Sequence, residues 1–104
     1  MTTNERELNR HKAKIARWLK EKREETGFTS SFMASAEMRT SRNTIYKIEQ
    51  AVVIPTKRTV DDLIVLYKLT PKEIIELKHM CETARELRSK VVEENKTSKR
   101  YERG

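Results

Sequence analysis

Residues 40 to 50, TSRNTIYKIEQ, place an unusual set of side chains at helical spacing. Ile45 and Ile48 fall on one side of such a helix, and Arg42, Asn43, Tyr46 and Lys47 fall on the other. Solvent asks only that a face be polar, and Lys or Glu would meet that demand. These four residues offer directional chemistry instead. A guanidinium can give two parallel hydrogen bonds to guanine O6 and N7, and a carboxamide can pair with adenine N6 and N7, each match discriminating by about 1–3 kcal/mol. A tyrosine ring can meet a thymine methyl group or bond a phosphate, while a lysine neutralises backbone charge. The bland reading of this face is solvated surface, and the distribution of charge weighs against it.

The chain carries 23 Lys and Arg against 16 Asp and Glu, a net of +7. From Arg10 to Arg58 there are twelve basic residues against five acidic, a net of +7, whereas residues 59 to 104 carry ten against nine, a net of +1. The excess sits in the first 60 residues or so. Such asymmetry suits a polyanionic partner, with nucleic acid ahead of an acidic membrane surface because no long apolar stretch accompanies it. The single cysteine, Cys81, cannot form an intramolecular disulfide, and nothing resembles a signal peptide or a run of about 18 apolar residues. The expected compartment is the cytoplasm.

Other chemistry is poorly served. His79, Cys81 and Glu82 lie close in sequence, but zinc normally takes four ligands in well-spaced pairs and only His11 remains as a second imidazole. No Gly-rich phosphate loop occurs, no serine or cysteine has a convincing base, and neither histidine has a recognisable partner. No metal, cofactor or enzymatic activity is expected. Trp18 lies beside Ile15 and Leu19 on an apolar stripe, so core or subunit contact is favoured over a base-stacking role.

The elements that must position residues 40 to 50 are helices. With 104 residues and 36% hydrophobic content the chain has room for one domain, and only two Pro and two Gly among many Glu, Lys, Arg, Leu, Ile and Ala favour an all-α fold. The first seven residues lack an apolar pattern and are expected to fray. Leu8, Ile15, Ala16, Trp18 and Leu19 predict a first helix that Gly27 ends. A short second helix over FMASAEM follows the cluster Thr29, Ser30, Ser31, and Thr40 or Ser41 caps a third helix over residues 42 to 50. AVVIPTKR reads as a loop because the residue before Pro55 is pushed out of the α region. A fourth helix from about Lys57 to Leu69 buries Val60, Leu63, Ile64 and Tyr67. Thr70, Pro71 and Glu73 form a complete start signal for a fifth, expected to reach about Val92 ahead of a flexible basic tail over residues 93 to 104.

Several short motifs occur in a telling order: Leu19 with Arg23, then Gly27-Phe28-Thr29, Ser41-Arg42-Asn43-Thr44-Ile45, Ile48-Glu49, and Pro55-Thr56 before Thr59-Val60 and Leu63. Together they resemble the Cro and lambda-repressor-like family, also called XRE-type, over residues 15 to about 77. The resemblance implies an all-α, five-helix lambda-repressor-like fold: a helix-turn-helix domain over residues 8 to 69 and an extended C-terminal helix over residues 70 to 92. Its third helix would lie in the DNA major groove and direct Arg42, Asn43, Tyr46 and Lys47 at base edges. The sequence departs from the pattern in four places. Arg39 or its neighbour replaces a glycine between helices two and three, and Ala51 replaces a glycine after the Ile-Glu pair. The interval from Gly27 to Ile45 is one residue longer than usual, and the glutamine that opens helix two appears only as Ser30 or Ser31.

Phosphate contacts supply affinity without sequence information, and Arg17, Ser30, Ser31, Arg39, Thr44, Lys57 and Arg58 are the candidates, with Lys14 and Lys20 beside them. Arg6, Arg10 and Lys12 are better read as the surface of the first helix. The stripe Leu77, Cys81, Ala84, Leu87 and Val91 either packs back onto helix four or pairs with a second subunit. Its length beyond Ala84 favours a homodimer, which would read a palindromic operator on double-stranded DNA. The function so implied is a sequence-specific transcriptional regulator of the repressor type. The rival is an antitoxin or anti-repressor adaptor that binds mainly a partner protein. RNA binding is a weaker third reading, because no aromatic platform for single-stranded bases is evident.

Overall fold

In the computed structural model, which describes residues 2 to 41 and 43 to 103 and side-chain surroundings up to Asn95, the chain forms five helices and, among the described residues, no strand. They are α1 (Thr3–Thr26), α2 (Ser31–Glu37), α3 (Thr44–Glu49), α4 (Lys57–Leu66) and α5 (Pro71–Arg103). No helix among the described residues is long and apolar enough to cross a membrane.

Hydroxyl caps set most of the starts. Thr2 Oγ1 accepts from Glu5 N at 3.1 Å, so α1 begins five residues before the expected Leu8 and the supposed fraying segment is helical. Ser30 caps α2 and Thr56 caps α4, accepting from Met33 N and Thr59 N, each at 3.2 Å. The expected capping box of α5 is formed in full: Glu73 N donates to Thr70 Oγ1 at 3.2 Å, and Thr70 N donates to Glu73 Oε1 at 2.9 Å. The start of α3 also differs from expectation. It starts at Thr44 rather than residue 42, and Asn43 occupies the N-cap without a side-chain cap bond.

Four helices end in one motif. After α1, Phe28 N reaches back to Arg23 O and Gly27 N to Glu24 O, at 3.1 and 3.0 Å, with Gly27 left-handed at φ 97°. The same two bonds recur after α2 (Thr40 N to Ser35 O, Arg39 N to Ala36 O), after α3 (Val52 N to Lys47 O, Ala51 N to Ile48 O) and after α4 (Leu69 N to Ile64 O, Lys68 N to Val65 O). There the left-handed residue is not glycine: Arg39, Ala51 and Lys68 have φ of 55°, 59° and 51°. Helix four therefore stops at Leu66, short of the expected Leu69. Within α5 no Gly or Pro follows Pro71 until Gly104, so helix propagation meets no breaker and runs to Arg103 through the segment expected to be a flexible tail.

The core gathers one stripe from each long helix. Leu8, Ile15 and Leu19 of α1 meet Leu77, Met80, Cys81 and Ala84 of α5, and Val60, Leu63 and Tyr67 from the α4 region close it together with Ile45 and Ile48 of α3. The most extensive contact is between α1 and α5, which lie antiparallel: Lys22 pairs with Glu73 near one end and Asn4 Nδ2 donates to Glu94 Oε1 near the other. Trp18 packs on the edge of this core with Lys22 Nζ 5.2 Å from its ring centroid.

This packing shows which part of the α5 stripe the chain itself covers. Leu77, Cys81 and Ala84 are fully buried within the single chain, mainly against α1, and Leu87 and Val91 are half-buried on the same core. The stripe on α5 packs on the apolar stripe of α1, through Leu8, Ile15 and Leu19.

A left-handed non-glycine residue carries about 1–2 kcal/mol of steric cost, against roughly 0.5–1 kcal/mol of extra chain entropy that glycine loses on folding. Ala51→Gly is therefore expected to stabilise the protein by roughly 0.5–1 kcal/mol in urea denaturation, whereas Ala51→Val lowers stability, since a β-branched residue tolerates positive φ worst.

Candidate nucleic-acid interface

A six-residue helix cannot hold itself together in water, since isolated helices below about 12–15 residues are marginal. Packing holds α3 in place. Ile45 and Ile48 are each 2% exposed, and burying an isoleucine contributes about 1.5–3 kcal/mol. The end of α3 is fastened by a buried ion pair: Arg23 Nε donates to Glu49 Oε2 at 2.8 Å and Nη2 donates to Oε1 at 3.1 Å, with both side chains 6% exposed. Arg23 Nη1 also donates to the carbonyl oxygen of Phe28 at 2.7 Å. One guanidinium thus joins the end of α1, the turn into α2 and the end of α3.

Sequence reasoning named Arg23 and Glu49 only as matching positions and missed their pairing. A signal was present, because Ile15, Leu19 and Arg23 follow one another at steps of four, which puts the arginine on the buried phase of α1. The Tyr67 hydroxyl lies buried close to this pair with no hydrogen-bond partner among the described residues, and burial, reinforced by the Glu49 charge, pushes its pKa up. The Glu49 hydrogen bond holds the Arg23 guanidinium still more firmly protonated than usual.

With Ile45 and Ile48 turned inward, Asn43, Tyr46 and Lys47 are exposed together on the opposite face of α3. Arg42 lies outside the described residues. Arg39, at the left-handed turn before α3, is exposed as well, as are Arg17 on α1 and Lys57 and Arg58 in the first turn of α4. Thr44 is half-buried, its hydroxyl 3.4 Å from that of Thr40, and it lines a groove shared with Thr56, Thr59, Lys12 and Arg88. Lys57 lines a different depression, with Lys78 and Arg85 of α5.

The two serines differ in setting: Ser30 caps α2, its Oγ accepting from Met33 N at 3.2 Å, whereas Ser31 in the first turn of α2 is 9% exposed. Ser30 as cap also fixes the register of α2, with Ala34 and Ser35 buried.

One feature of this surface went unforeseen. Phe32 of α2 stacks on Tyr46 of α3, ring centroids 5.8 Å apart and planes 14° from parallel. Both rings remain exposed. Single-sequence periodicity could not reveal it, because the pair joins two helices across a turn.

Away from α3 the titratable groups serve the scaffold. Lys22 Nζ lies 2.5 Å from Glu73 Oε2, and that hydrogen bond, with the Thr70 backbone bond, draws the Glu73 carboxyl down to about 2. Burial raises the Cys81 thiol to about 11, which keeps it an unreactive core residue. Among the described residues no group of three or more His, Cys, Asp and Glu is arranged to hold a metal ion.

Removing one partner of a buried ion pair leaves a charge without compensation and costs about 3–5 kcal/mol, a large part of the ~5–15 kcal/mol that holds a small domain folded. Arg23→Met alone is expected to lose that much in urea denaturation, and Arg23→Met with Glu49→Leu to recover most of it; a single variant within about 1 kcal/mol of the parent would contradict the pairing. Comparison with protein-family models, curated proteins and solved structures finds no match to this chain.

Proposed function

We propose that this chain is a sequence-specific double-stranded DNA-binding regulator of the repressor type, in which α2 and α3 act as a helix-turn-helix unit and α3 reads the major groove. The observation that carries the reading is the exposed face of Asn43, Tyr46 and Lys47 on a short helix whose other side is buried through Ile45 and Ile48. A carboxamide, a phenol and an ammonium side by side match the mixed donor, acceptor and phosphate chemistry of a groove, and the N-terminal half carries the basic excess such a partner requires. The resemblance to XRE-type proteins points the same way. At the two positions where that pattern has glycine, Arg39 and Ala51 adopt the left-handed backbone for which glycine is the usual residue.

In this reading Asn43 pairs with an adenine, Arg42 with a guanine, and Lys47 and Tyr46 contact bases or the adjoining backbone. Arg39, Arg58, Thr44 and the Ser30 hydroxyl hold phosphates, with Arg17 and Lys57 at the periphery. Dimer formation on a palindromic operator would use what α1 leaves uncovered on α5, where Leu87 and Val91 are half-buried and Val92 is 46% exposed.

The test is a titration with duplex DNA at two salt concentrations. The reading predicts affinity that falls steeply with salt, log K changing by about 0.9 per phosphate contacted for each tenfold change in salt. Lys47→Ala should weaken all duplexes evenly and reduce the slope by about one unit if its contact is to phosphate. Asn43→Ala and Arg42→Ala should each relax preference at one base pair, adenine and guanine respectively, by about 1–3 kcal/mol in a selection from random duplexes. A chain indifferent to duplex DNA at low salt would overturn the proposal in favour of a protein-binding adaptor.

A further inference from the structure

Phenylalanine has neither a hydrogen-bond donor nor an acceptor, so an exposed phenyl ring on a recognition surface contributes apolar and ring-face contact. Phe32 is 40% exposed and Tyr46, stacked on it, is 45% exposed, with Met33 beside Phe32 at 51%. The other phenylalanine, Phe28, packs against the core with its ring 6.4 Å from that of Tyr67. The Phe32–Tyr46 stack therefore makes an apolar ledge across the α2–α3 junction, next to the exposed Asn43 and Lys47.

Two occupants suit an apolar ledge: a hydrophobic protein segment or the one apolar group that DNA presents in its major groove. The surroundings decide. Arg39 and Lys47 are exposed on the same part of the chain, and residues Arg10 to Arg58 carry a net charge of +7, which favours a polyanion. The apolar group of the major groove is the C5-methyl of thymine. Stacking also restrains both rings before any partner arrives, so less side-chain freedom is lost on contact.

We infer that the Phe32–Tyr46 stack reads the 5-methyl group of a thymine, which makes Phe32 a specificity-determining residue of the interface. The inference rests on the DNA-binding reading and adds to it a base type and a residue outside α3. Asn43, Arg42 and Lys47 read polar edges; the ledge reads the absence or presence of one methyl group.

The experiment is a uracil scan. The tightest duplex selected by the full chain from a random pool is resynthesised with deoxyuridine at each thymidine in turn, a change that removes the methyl and keeps the pairing. Burial of one methyl group corresponds to about a fourfold change in affinity. The parent chain should lose about fourfold at one or two thymidines. F32A should bind the thymidine duplex as weakly as the parent binds the uracil duplex, and should not distinguish the two. Indifference of the parent to every replacement, a selected site without thymine, or an undiminished uracil effect in F32A would each overturn the inference while leaving DNA binding intact. Failure of the parent to select any duplex would overturn both.

Discussion

The Arg23–Glu49 pair is the constraint on which the exposed face of α3 depends. A helix of six residues has too few internal hydrogen bonds to define its own axis, and two isoleucines fix its depth better than its direction. The bidentate bond from Arg23 holds the C-terminal carboxylate of α3 in one geometry, and the third bond, to the Phe28 carbonyl, ties the same guanidinium to the turn that leads into α2. A buried ion pair is weak evidence for stability, since desolvation of the two charges offsets much of their attraction. What it supplies here is orientation: a small rotation of α3 would break two bonds at once and strand both charges.

Around this fastening the molecule divides into a rigid frame and a short-helix layer. The antiparallel α1 and α5 form the frame, joined at one end by Lys22 and Glu73 and at the other by Asn4 and Glu94, with Leu77, Cys81 and Ala84 sealed between them. The layer holds α2, α3 and α4, each closed by the same left-handed turn. These turns reverse the chain in the fewest residues, and three of them do so with a side chain in place of glycine. Steric cost is thus accepted on either side of α3, at Arg39 and at Ala51, where the turn sets which residues face outward.

Much of this was legible in the sequence. Periodicity located five helices, and Thr70, Pro71 and Glu73 marked the start of α5 to the atom, because a capping box is a local device that needs no tertiary context. The burial of Ile45 and Ile48 and the exposure of Asn43, Tyr46 and Lys47 followed from helical phase alone. Features set by the tertiary fold were not legible. Thr2 and Asn4 gave no apolar signal, yet Thr2 caps α1 five residues ahead of Leu8 and Asn4 meets Glu94 of α5. Arg23 reads as one more basic residue unless its phase on the α1 stripe is weighed above its charge. Phe32 and Tyr46 are in different helices, and only the turn at Arg39 brings their rings together.

The central claim is that the outward face of α3 is the surface that meets duplex DNA. Mapping backbone amide signals by NMR while adding a short duplex at low ionic strength tests it most directly. The account predicts that the signals of residues 43 to 47, with Phe32 across the α2–α3 turn, move furthest and saturate together. Shifts confined to α5, or no shifts at any residue of α3, would contradict it.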